Sequence, residues 1–122
     1  MVPILKHGKF LIASIVSALT DQDLIQLRDE LANKIGQVRA HGVIIDVTAV
    51  DVLDSFATRT LRDIARTVKL RGAKIVLVGI QPDVAFAMVQ LGLSLDEVDT
   101  ALDLEEGFSH LRRGEERSRH AG

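Results

Sequence analysis

Three apolar, β-branched runs constrain this chain more than any other feature: residues 9–16, 43–47 and 73–79. Each has the length of a strand, and the unbroken apolar character calls for cover on both faces. That is the habit of central parallel strands. Between the runs the period changes. Leu24, Leu27, Leu31, Ile35 and Val38 recur at steps of three and four, as do Ala57, Leu61, Ile64, Ala65 and Val68. Each set makes one apolar stripe on a helix. Strands alternating with such helices predict a sheet with right-handed crossovers and helical cover.

Punctuation residues set the expected boundaries. Residues 3–7 and 9–16 read as a hairpin turning at Gly8. Thr20 is the expected cap of the first helix, with Asp21 and Asp23 at its positive end. His41-Gly42 is the expected stop, with Gly42 as the left-handed terminator. A second helix is expected over about 56–70, closed by Arg71-Gly72. Pro82 opens a third that carries Val84, Ala85, Met88, Val89 and Leu91, and Gly92 closes it. A short edge strand falls near 98–101. Asp103 and Glu106 have capping-box spacing before a last helix with Leu104, Phe108 and Leu111 inward. The expected architecture is α/β: an N-terminal β-hairpin, then βαβαβα, a mixed sheet covered by helices. The domain is expected over 3–112. Residues 113–122 carry mixed charge without an apolar stripe and read as a disordered tail.

Composition narrows the function classes. The chain has 122 residues, the length of one domain, and no cysteine, so disulfides and thiolate metal sites are excluded. An intracellular, reducing location fits. The first residues lack a signal-peptide pattern, and no apolar run approaches a membrane span. Net charge is −2, and aromatics are 3%, with neither Trp nor Tyr. Neither nucleic-acid binding nor an aromatic carbohydrate cleft is expected. There is no Walker loop and no glycine-rich strand-to-helix turn. His7, His41, His110 and His120 fall in a turn, a helix end, a helix and the tail, and read as structural.

Two groups at the end of the central strand invite chemistry. Asp46, Asp51 and Asp54 form an acidic trio that could hold Mg²⁺ through oxygen ligands. Asp46 could also accept a phosphoryl group, as in receiver domains. Those domains carry an acidic pair after their first strand, where this chain has Ser14-Ile15-Val16-Ser17. The simpler reading is loop solvation and turn capping. The other group is Ser55. As a cap, its hydroxyl would accept the N–H of Ala57 or Thr58. As a phosphate acceptor, it would set a dianion at the positive end of a helix. Thr58 and Thr60 are secondary acceptor candidates. Phe56 reads as core under the first turn, or as an aromatic anchor if exposed.

The order of elements, the Val43-Ile44-Ile45-Asp46 strand, the Asp54-Ser55 pair opening a helix, and Gly72-Ala73-Lys74-Ile75-Val76-Leu77 followed by Gly79-Ile80-Gln81-Pro82 resemble the STAS family. That family holds sulfate-transporter and anti-sigma-factor-antagonist domains. Within it, residues 42–48, 51–56, 72–82 and 100–105 look like the small stressosome subunit of the RsbS type. Many members read Asp-Ser-Ser-Gly or Asp-Ser-Thr-Gly at the serine. Phe56 and Ala57 stand in the last two places here, as in the stressosome group.

The resemblance implies a non-catalytic, cytoplasmic scaffold without a cofactor. It implies Ser55 as the residue phosphorylated by a switch serine kinase and dephosphorylated by a PP2C-like phosphatase. Asp51, Asp54, Phe56 and Arg59 are the expected partner-binding residues. Expected partners are the kinase, the phosphatase and a sensor-bearing STAS sister subunit, in a large hetero-oligomer or a homo-oligomer. A free anti-sigma-factor antagonist and a small-ligand-binding module remain alternatives, and a carboxylate-based enzyme is the remaining class.

Overall fold

The computed structural model describes residues 2–16, 19–93 and 98–121. Its elements run β1 (Ile4–His7), β2 (Phe10–Ser14), α1 (Asp21–Val38), β3 (Gly42–Asp46), α2 (Ser55–Leu70), β4 (Lys74–Val78), α3 (Pro82–Gln90), β5 (Asp99–Ala101) and α4 (Leu104–Ala121). The strands form one sheet in chain order. β1 pairs antiparallel with β2, and every later pair is parallel. This is the expected hairpin followed by βαβαβα.

The apolar runs take the central places because they are covered on both sides. Val43, Ile44 and Ile45 have no exposed surface. Alternate residues of one strand face opposite ways. Val43, Ile45, Ile75 and Leu77 join Leu27, Leu31 and Ile35 of α1, Leu61, Ile64 and Val68 of α2, and Val84 and Met88 of α3 in the larger core. Ile44, Val76 and Val78 face the other way, onto Leu111 of α4, with Leu104 and Phe108 beside them. Burying a large aliphatic side chain contributes about 1.5–3 kcal/mol, so these strands anchor the domain.

Helix α1 begins as its sequence predicts. The Thr20 hydroxyl accepts the Asp23 N–H at 3.1 Å, and the Asp23 carboxylate accepts the Thr20 N–H at 3.1 Å. Its end differs from expectation. Arg39, at φ 52° and ψ 50°, is the left-handed residue that closes α1. Gly42 lies in β3 instead. A Cβ there would stand 2.9 Å from both Leu111 methyl groups. Its missing side chain admits α4 and does not turn the chain.

Beyond Leu111 lies the segment 113–122, read from the sequence as a tail. Helix α4 continues through it to Ala121. Contacts beyond the last apolar inward residue hold it: Glu115 meets the imidazole Nδ1 of His41, and Gly114 is buried. Polar and backbone contacts of this kind leave no apolar period to read.

Candidate functional site

The C-terminal edge of the parallel strands is built by two loops that brace one another. In the first, Asp46 Oδ1 accepts the Thr48 N–H at 2.9 Å and the Thr48 hydroxyl at 2.6 Å. That closes an Asx turn directly after β3. In the second, Gly79 follows β4 at φ +75°. A Cβ there would sit 1.9 Å from Thr48 Oγ1 and 3.1 Å from Thr48 Cα, so only glycine fits both the backbone and the neighbour. Gln81 Nε2 donates to the Thr48 carbonyl at 2.9 Å and ties the loops together. The Asp46 carboxylate is thus engaged in turn structure. Among the described residues no three His, Cys, Asp or Glu side chains converge as a metal ion requires.

Beyond this brace the first loop runs extended into α2. Val50 and Leu53 pack on the core, while Val52 is 78% exposed. Sequence reasoning overlooked Val52, because a lone valine in a loop carries no periodic signal. The loop ends at Asp54, which is the cap of α2: Asp54 Oδ1 accepts the Ala57 N–H at 2.7 Å. This corrects the expectation that Ser55 caps the helix. Ser55 is the first helical residue, it is exposed, and its hydroxyl has no hydrogen-bond partner among the described residues.

The helix start around Ser55 is only partly satisfied. The Thr58 N–H reaches the Asp54 carbonyl at 3.0 Å, and the Ala57 N–H is taken by the Asp54 side chain. The N–H groups of Ser55 and Phe56 have no partner among the described residues. They are the free donors that a helix N-terminus offers an anion.

The remaining candidates separate by burial. Thr58 is 1% exposed and donates to the Asp54 carbonyl at 3.0 Å. Thr60 is 5% exposed and donates to the Phe56 carbonyl at 2.9 Å. Both hydroxyls bond back into the preceding turn and neither faces an enzyme in this fold. Asp51, Asp54 and Arg59 are exposed, and Phe56 is half-buried. Arg59 lies one turn along α2 from Ser55, on the same side of the helix.

Beside this helix start lies a cleft of about 250 Å³ between α1 and the loop. Leu19, Leu24, Val47, Val50 and Leu53 give it an apolar wall, with Asp21, Asp51 and Asp54 also lining it. Asp21 comes from the head of α1. Only the parallel pairing of β2 with β3 brings it to the same edge, so no local motif announces it.

The histidines take structural positions where they are described. His41 meets Glu115, His110 Nε2 lies 2.9 Å from Asp99 Oδ2, and the His7 ring sits 4.8 Å from the Phe108 ring. The side chain of His120 lies outside the described residues. No helix among the described residues is long and apolar enough to cross a membrane.

Fold and site together describe a small α/β domain with an exposed serine, Ser55, at the head of a helix beside its capping carboxylate, Asp54. The chain belongs to the STAS domain family, whose model matches residues 2–107. It is 40% identical to a serine-to-glutamate variant of RsbS from Moorella thermoacetica, with a TM-score of 0.84 over 92% of this chain and 95% of that one. It is likewise 40% identical to a chain from a structure described as the molecular architecture of the stressosome, a signal integration and transduction hub. There the TM-score is 0.82 over 91% of this chain and 96% of the other. The RsbT co-antagonist protein RsbRA of Bacillus subtilis (strain 168) is 31% identical over 94 residues, which are 77% of this chain. The chain spans 34% of the length of that relative.

Proposed function

We propose that this chain is a phosphorylation-regulated scaffold and antagonist subunit of a stressosome-type complex. It holds a serine kinase while Ser55 is unmodified and releases it once Ser55 is phosphorylated. A PP2C-like phosphatase resets the state. A sensor-bearing STAS sister subunit co-assembles with it in a cytoplasmic hetero-oligomer, and the complex regulates a stress response. The observation that carries this reading is the Ser55 hydroxyl. It is exposed, freed from capping by Asp54, and set beside two unpartnered N–H groups. The 40% identity over nearly the whole chain to RsbS and to a stressosome subunit supports the assembly. The likeness to a protein named as a co-antagonist supports the sister subunit.

The physical argument for release is electrostatic. A phosphoryl group adds about −1.5 to −2 charges at neutral pH. On Ser55 it joins the free N–H groups of the first turn, with the carboxylates of Asp51 and Asp54 close in sequence. The helix end can hold it in place, so the fold tolerates the change. A partner that covers the loop faces a different balance. Burying a phosphate dianion without a cationic partner costs several kcal/mol. A loss of about 3 kcal/mol weakens binding more than a hundredfold. The cleft beside α2 offers the partner's apolar side chains a seat, with exposed Val52 and half-buried Phe56 nearby.

Phosphosite mapping with the cognate kinase tests the reading. Phosphate is expected on Ser55 in the wild type and none in Ser55→Ala. Phosphate on Thr58 or on Asp46 in the folded protein would defeat it.

A further inference from the structure

A second charged site lies at the other end of the sheet. Lys74 opens β4 and pairs with Gly42, the first residue of β3, whereas Ser55 follows the last residue of β3. Around Lys74 is a groove of about 330 Å³, walled by the end of α2, the starts of β4 and β5, and the second half of α4. Four cations line it: Lys69, Lys74, Arg113 and Arg117. All four are exposed, and none has a carboxylate partner among the described residues. The lining holds one carboxylate, Asp99, and His110 Nε2 lies 2.9 Å from its Oδ2.

Scattered surface lysines and arginines need no explanation. Four unpaired cations in one concavity do, because their mutual repulsion opposes the compact state. Composition does not supply the cause, since the chain as a whole carries −2. The backbone also makes room for one of them. A Cβ on Gly114 would stand 2.4 Å from Lys74 Nζ. Glycine inside a helix weakens it, and here its bare surface lets the lysine lie across α4.

The lining selects a chemical class. Arginine forks match phosphate oxygens bidentately, and lysine ammonium groups serve as point charges. A single small anion cannot meet four cations spread over three elements, whereas a short chain of phosphoryl groups can. No Phe, Tyr or Trp ring lines the groove, and the imidazole of His110 there is already engaged with Asp99, so clustered charge rather than base stacking is what the groove offers. We infer that this groove binds a compact free oligophosphate, recognised through its clustered charge.

Titration calorimetry on the full chain, with tripolyphosphate, orthophosphate and sulfate at matched ionic strength, tests this. Tripolyphosphate is expected to bind at one site per chain, at least tenfold more tightly than the other two anions. The double variant Lys74→Gln, Arg113→Gln is expected to lose at least tenfold in affinity. Lys6→Gln, Lys9→Gln removes as much charge from the hairpin and is expected to bind as the wild type does. Ser55→Glu is also expected to leave binding unchanged, which separates this site from the serine. Equal affinity for all three anions, no saturable binding, unaltered affinity in the groove variant, or equal loss in the hairpin control each overturns the inference.

Discussion

The Asp54 carboxylate accepts the Ala57 N–H at 2.7 Å, and this bond takes the capping role away from Ser55. In the proposed function, structural and switching duties would thereby be divided between adjacent residues. Asp54 holds the helix end, and Ser55 is free to change its charge. The two side chains should therefore respond to substitution differently.

Asp54→Ala should cost about 1 kcal/mol of stability, within the roughly 0.5–2 kcal/mol range of lost caps. Ser55→Ala should stay within about 0.5 kcal/mol of the wild type, as exposed substitutions do. Urea denaturation of both variants checks the division. A larger loss at Ser55 than at Asp54 contradicts it.

Ser55→Glu should fold with native stability to within about 1 kcal/mol, since the added charge is exposed at a helix N-terminus. Thr58→Glu should lose several kcal/mol or fail to fold, because its side chain would be driven into the core without a partner. Thermal melts of the two phosphomimetic variants make the comparison. Equal melting temperatures would remove the argument that Thr58 is shielded.

Gly79→Ala should destabilise the domain by about 2 kcal/mol or more, combining a left-handed backbone with a clash. The clash is with Thr48, whose Oγ1 and Cα lie 1.9 and 3.1 Å from the added carbon. Gly8→Ala shares the positive φ but has nothing within 4 Å, so it should cost about 1 kcal/mol. Denaturant midpoints rank the pair, and a reversed order contradicts the bracing of the two loops.

The capping box of α1 gives a pH signature. The Thr20 N–H, and then its hydroxyl, hold the Asp23 carboxyl below its ordinary value of 3.8. The unfolded chain therefore takes up that proton more readily than the folded one. The resulting stabilisation is present above 3.8 and is lost as pH falls through the lower folded value. Denaturation of the wild type and of Asp23→Asn should differ near neutrality and converge in acid. A difference that grows in acid has the wrong sign.

Much of the fold was legible in the residues themselves. The Thr20 cap, the inward stripes and the three buried strands follow from local period and local hydrogen bonding. Two kinds of information were missing from local reading: contacts with distant residues, and the choice between equivalent neighbours. Gly42 was read as a turn residue, yet its bare surface answers to Leu111, far along the chain. Beyond Leu111, Gly114 and the Glu115–His41 contact lie outside any apolar period, so no local signal marks how far the last helix runs. Ser55 and Asp54 are both good caps, and sequence spacing alone does not choose between neighbours. The cleft was invisible because its lining is assembled across the sheet, Asp21 and Asp51 coming to one edge only through the pairing of β2 with β3.

Assembly provides a further check. Mixed with a sensor-bearing STAS sister subunit, the protein should elute as a megadalton species by size exclusion with light scattering. A monomer or dimer under both conditions would favour a free antagonist.

The most direct measurement compares how tightly the switch kinase binds the unmodified protein and the same protein stoichiometrically phosphorylated on Ser55. The account predicts affinity weaker by about a hundredfold or more after modification, with the circular dichroism spectrum unchanged. Equal affinity for the two forms would contradict it.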